Sequence, residues 1–190
     1  METLYDDIVN AACPEPAIYP MQLAGAIEED FFNLSETVKQ TFGRLDGLIH
    51  NAALFKSFTP IPQSSYDSWS EILQVNLNAP FLLSKACLPL LKEADHALLM
   101  FITDRVNTET ENYAYRGAYG VSKAGLDELA LILKDELEEN TDVSVISHDP
   151  GPIQTRLRAR MSPGQRSSEV DLPEIAVEPI LELVLNSLNP

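Results

Sequence analysis

The chain has 190 residues, 45% of them apolar, and its 13 Lys and Arg against 29 Asp and Glu leave a net charge of −16. That length supports one domain, residues 1–190, with a core of its own, and the acidic balance argues against nucleic acid or an anionic membrane as a partner. Two cysteines, Cys13 and Cys87, imply no disulfide framework and point to a reducing cytoplasm; the acidic start reads as no secretory signal, and no apolar run reaches the roughly 18 residues of a membrane span.

Residues 2–12 read as a helix closed by Cys13-Pro14-Glu15-Pro16. Residues 17–23 read as a short buried strand, with Pro20 placing it at an edge. Phe31, Leu34, Val38 and Phe42 recur at helical spacing over 28–42, and Gly43 is placed to end that helix. Residues 45–53 make an apolar strand that runs into the small-residue turn Asn51-Ala52-Ala53. A long helix is expected over 66–93, bent or divided at Pro80 and Pro89. The apolar run 97–103 suits a parallel strand covered on both faces. A helix over 117–138 follows, then a strand marked by Val143, Val145 and Ile146 that ends at Asp149. An Arg-bearing loop spans 156–170, and a final helix spans 173–188 with a kink near Pro179. Strands alternating with helices predict an α/β fold built on a parallel sheet with helices on both faces. Ligands bind at the carboxyl ends of such strands, where Asn51, Thr103 and Gly151 would meet.

Tyr119 and Lys123 lie four apart on the expected helix, so they share a face. A phenol has a pKa of about 10 and is a poor acid or base near neutrality. A nearby ammonium favours the phenolate and lowers that value. The pair can therefore exchange a proton with a ligand oxygen.

Four features stand in order: Asn51-Ala52-Ala53 after a strand, Asn76 within Val75-Asn76-Leu77, Tyr119-x-x-x-Lys123, and Pro150-Gly151-x-x-x-Thr155. Together they resemble the short-chain dehydrogenase/reductase family over nearly the whole chain. The resemblance implies a Rossmann-like doubly wound sheet and an oxidoreductase that uses NAD or NADP on a small-molecule alcohol or carbonyl. It implies that Tyr119 is the proton donor or acceptor, that Lys123 holds the nicotinamide ribose and tunes Tyr119, and that Asn76 holds a relay water at a helix kink. It places Asn51 and Ala52 beside the cofactor, Pro150 and Gly151 over the nicotinamide, and Thr155 near its carboxamide. Thr103, Asp104 and Tyr113 fall on the substrate side. No metal is implied. The long helices would permit a homo-oligomer.

The sequence departs from the family pattern in several places. None of its eight glycines follows a strand with the spacing of a phosphate-binding turn. The expected sheet is therefore N-terminally incomplete, and for these residues alone weak or no cofactor binding and negligible turnover are expected. Gln22 stands where an adenine-side acid is usual. Where the family has a serine, this sequence reads Thr103-Asp104-Arg105. Asp104 or Arg105 takes that place, and a carboxylate there would oppose Lys123 by raising the Tyr119 pKa. The strand near 46–52 would expose an apolar edge, to be covered by further chain, by the 17–23 strand or by a partner. These losses leave an alternative reading, a non-catalytic scaffold acting through protein partners.

Overall fold

The structure is a computed structural model that describes residues 2–105, 113–166 and 169–188. Helix α1 spans Glu2–Asn10 and α2 spans Glu28–Phe42. Strand β1 is Gly47–His50, and α3 is Tyr66–Leu73. Helix α4 is Ala79–Leu91, strand β2 is Ala97–Ile102, and α5 is Gly117–Leu137. Strand β3 is Val143–His148, followed by α6 at Arg156–Met161 and α7 at Pro173–Leu188. The three strands are parallel in the order β1-β2-β3.

The apolar run in β2 explains its central place. Ala97, Leu99 and Phe101 face Leu91 of α4 and Leu126, Ala130 and Leu133 of α5. Leu98 and Met100 alternate to the opposite face and are equally buried, and α7 packs against β2. Helix α2 follows its apolar spacing. Its backbone start is capped by the Asp30 carboxylate, which accepts from Ile27 N at 2.9 Å, and Gly43 closes it at φ 78°. Phe31 is fully buried among Met21, Leu23, Ala79 and Ala86.

Three expectations need correcting. The strand over 17–23 does not form. Residues 17–20 are exposed, Pro20 has no N–H to donate, and Met21 and Leu23 pack on Phe31 beside a short 3₁₀ turn at Leu23–Gly25. That segment therefore does not cover the outer edge of β1, where Ile49 is 44% exposed. Of the two prolines in the long helix, Pro80 stands just after the break, with no N–H for the carbonyl of Asn76 four residues back, whereas Pro89 is carried inside α4 without dividing it. The break is a π-helical turn at Gln74–Asn78, the kind of irregularity that accommodates a side chain with local partners. Leu77 in that turn packs where a Cβ on Gly125 would come within 3.1 Å, so the glycine lets α5 approach closely. Finally, the loop over 156–170 contains a helix, α6. Its first turn is capped by the Thr155 hydroxyl, which accepts from Arg158 N at 3.1 Å.

Candidate active site

The three strands deliver their carboxyl ends to one cavity of about 430 Å³. Asn51 and Ala53 reach it from β1, Thr103 and Asp104 from β2, and Asp149, Pro150 and Gly151 from β3. Helix α5 adds Tyr119 and Lys123 from one face, and Thr155 closes the side toward α6. Three expected residues are not part of the cavity wall: Asn76, buried in the π turn, and two others. Ala52 sits in the exposed turn between Asn51 and Ala53, and Tyr113 is 70% exposed, at the surface before α5. Nearness to Tyr119 in sequence does not bring Tyr113 into the cavity: a turn at residues 114–115, with Tyr115 at a left-handed φ of 67°, lies between it and the helix.

Asp104 is the residue beside the tyrosine. The Tyr119 hydroxyl donates to Asp104 Oδ2 at 2.7 Å. Asp104 Oδ1 faces Arg116 Nη1 at 3.6 Å. Arg105 turns away instead. Its Nε and Nη2 bind both oxygens of Asp127 at 2.9 and 2.7 Å, and Asp127 also accepts from the Ser147 hydroxyl. Thr103 is buried, with its hydroxyl 3.4 Å from that of Ser147. Asp149 braces the loop, accepting from Arg105 N and from Gly151 N at 2.8 Å each.

The electrostatics follow from this placement. Burial pushes the Tyr119 phenol well above its ordinary value, and the charge and hydrogen bond of Asp104 push it further; Arg116 opposes them. Burial lowers the Lys123 ammonium, against the pull of Asp104, Asp149 and Asp127. Lys123 Nζ donates to Ile102 O at 2.8 Å, which uses one of its three hydrogens. Burial raises Asp127, but its hydrogen bonds to Arg105 and Ser147 outweigh that and hold it below the usual carboxylate range.

Asn76 lies in the π turn, fully buried. Its Oδ1 accepts from Leu54 N at 2.6 Å, and its Nδ2 donates to Leu54 O and to Ser122 Oγ at 3.0 Å each. It thus ties the chain after Asn51 to the helix that carries Tyr119. Asn76→Ala is expected to cost about 2 kcal/mol, since its bonds to both backbone groups of half-buried Leu54 and to buried Ser122 would be lost. A urea melt checks this, and an unchanged midpoint would deny Asn76 that bracing role.

Arg116, Asp127 and Ser147 were not singled out from sequence. Asp127 had a signal, since Tyr119, Lys123 and Asp127 stand at i, i+4 and i+8 on one helix face. Arg116 and Ser147 had none, because their partners come from other elements.

A parallel sheet covered on both faces, with ligand-facing groups at its carboxyl edge, defines a Rossmann-like α/β protein. The model of the short chain dehydrogenases matches residues 3–166, and this chain belongs to that family. YciK of Escherichia coli K12, an uncharacterized oxidoreductase, is 30% identical over 159 residues, covering 84% of this chain and 62% of its own length. The chain thus spans about three fifths of the length of this curated relative. A candidate short chain dehydrogenase from Pseudomonas syringae superposes with a TM-score of 0.88 at 34% identity, covering 96% of this chain and 73% of that one. A candidate short chain dehydrogenase from Shigella flexneri, solved with NADP, superposes with a TM-score of 0.87 at 26% identity over 100% of this chain and 76% of that one.

Proposed function

We propose that these 190 residues form a single domain that carries the catalytic face of an NAD(P)-dependent oxidoreductase acting on a small-molecule alcohol or carbonyl. The observation that carries this reading is the meeting of Tyr119 and Lys123 with the ends of three parallel strands in one cavity. The walls fit the nicotinamide end of the cofactor. Lys123 has two ammonium hydrogens to offer a ribose, Thr155 offers a hydroxyl, and Gly151, at φ 70°, lets backbone approach without a side chain. Asn51 lines the same cavity from β1. The bound nicotinamide would supply hydride chemistry.

The chain's own residues manage the proton. Tyr119 is the group that exchanges it with the substrate oxygen, and Lys123 holds a positive charge behind it. Thr103 and Asp104 form the substrate side. Both amide hydrogens of Asn76 are committed to Leu54 and Ser122, so a relay water there would sit on an acceptor of the π turn.

NADH and NADPH binding tests the reading, followed through Trp69 fluorescence. Saturable but weak binding is expected, with Kd on the order of 1 mM, because the nicotinamide side is present while no glycine-rich turn occurs in the sequence to meet the pyrophosphate. A folded chain that shows no saturation at several times that concentration would favour a scaffold without redox chemistry.

A further inference from the structure

Asp104 stands where a hydroxyl would serve a neutral carbonyl better. A carboxylate beside the reacting oxygen repels the negative charge that develops there, and it holds the Tyr119 hydrogen that the substrate needs. The surroundings show what this carboxylate suits. Each cation that lines the cavity already donates to the protein: Arg105 to Asp127, Lys123 to Ile102 O, and Arg158 Nε to Gln165 Oε1 at 2.7 Å. The second carboxylate, Asp149, is held by two backbone N–H groups. Asp104 accepts one hydrogen bond from Tyr119 and meets Arg116 at 3.6 Å, and its side chain is 28% exposed. A carboxylate has about four lone-pair directions, so Asp104 keeps acceptor capacity toward the cavity. Ile102, Ile153, Leu157 and Met161 supply an apolar wall.

We propose that this cavity takes an amino alcohol or amino ketone whose protonated nitrogen seats on the Asp104 carboxylate, releasing the Tyr119 hydroxyl to the substrate's own oxygen. The oxygen chemistry rests on the oxidoreductase reading above; the ammonium seat does not. The ligand's cation supplies the hydrogen bond that Asp104 loses. It also neutralises the charge that raises Tyr119, so the phenol becomes a stronger acid only when the right ligand is present. A neutral alcohol or ketone of the same size has nothing to offer Asp104 and leaves Tyr119 committed. Asp104 thereby selects substrate by charge.

The test compares 2-amino-1-phenylethanol with 1-phenylethanol, titrated into the full chain near neutral pH in about 0.15 M salt. Tyrosine labelled at the ζ carbon is followed by NMR. The amino alcohol is expected to bind at least about tenfold more tightly, the scale of one charge-assisted hydrogen bond in a partly desolvated site. It should also move the Tyr119 resonance, identified by its absence in Tyr119→Phe, whereas 1-phenylethanol should not. Asp104→Asn should erase the preference, although it removes one of 29 acidic residues and so barely alters the overall charge. Tyr119→Phe should retain the preference. Equal affinities in the native chain would overturn the proposal, as would a preference that survives Asp104→Asn but vanishes in Asp149→Asn. If Asp104→Asn does not fold, the native titration still decides: an unmoved Tyr119 resonance is a negative result. Nicotinamide binding without amine preference would sink this proposal and leave the oxidoreductase reading. Amine preference without nicotinamide binding would do the reverse.

Discussion

Replacing Asp104 with serine is expected to lower the Tyr119 pKa and to raise turnover of a neutral carbonyl substrate by tenfold or more. The Tyr119 hydroxyl now donates to Asp104 Oδ2 at 2.7 Å, and both the charge and the hydrogen bond of that carboxylate disfavour the phenolate. Serine removes the charge and leaves a hydroxyl that can accept from Tyr119 or donate to a substrate oxygen. Burial is the larger cause of the raised pKa and persists in the variant, so the phenol falls toward its ordinary range without reaching it. Positioned acid–base groups contribute about 10²–10⁴ in rate, and tenfold is a modest share of that. Phenolate absorbance, read as a difference from Tyr119→Phe, follows one of the six tyrosines through its titration. Single-turnover reduction with saturating NADPH reads the rate. An unmoved titration would mean that Asp104 does not govern the tyrosine. A moved titration with unchanged turnover would place the limiting step elsewhere.

Acid is expected to weaken the fold through His50. The imidazole closes β1, stacks on Phe101 with ring centroids 4.8 Å apart, and shares a hydrogen bond with Ser84 Oγ at 2.8 Å. Burial holds it neutral, its pKa lowered from 6.5 to about 4. As pH falls, the unfolded chain takes up this proton near pH 6.5 and the folded chain only near pH 4. In that window the unfolded state binds more protons, so stability drops as pH falls and levels off below the folded value. At about 1.4 kcal/mol per pH unit the contribution is about 3 kcal/mol, a substantial part of a typical 5–15 kcal/mol domain stability. Urea melts at pH 7 and at pH 4.5 should show this loss, and His50→Gln should shrink the difference between them. Carboxylates such as Asp127 add their own acid sensitivity, which the variant retains. Equal losses in both proteins would mean that His50 is not the group responsible.

The pairing of Tyr119 and Lys123 on one cavity-facing side of a helix was legible because it is local. Four residues along a helix put two side chains on one face whatever the rest of the fold does. The apolar run at 97–103 was legible for a related reason, since a segment with no polar face must be covered on both sides. The residues at the strand ends followed from the rule that such sheets bind ligands at their carboxyl edge. Asn51, Thr103 and Gly151 do line one cavity.

Other features depend on partners distant in sequence. Residues 17–23 have strand-like composition but no strand beside them, and a strand exists only through its ladder. The long helix breaks just ahead of Pro80, as its sequence announced, but that the break is a π turn holding a buried Asn76 amide bound to Leu54 and Ser122 depends on partners from other elements. Sequence left open whether Asp104 or Arg105 would stand beside the tyrosine. The choice was made by Asp127 and Ser147, which draw Arg105 away and leave Asp104 with Tyr119. By itself, then, the sequence determined the α/β class, the helix on which Tyr119 and Lys123 share a face, and the edge of the sheet where that face meets the strand ends, because periodicity and side-chain spacing are properties of short segments. The tertiary structure alone decided the charge that faces the tyrosine, because hydrogen bonds and burial are settled between elements that the chain brings together only when it folds.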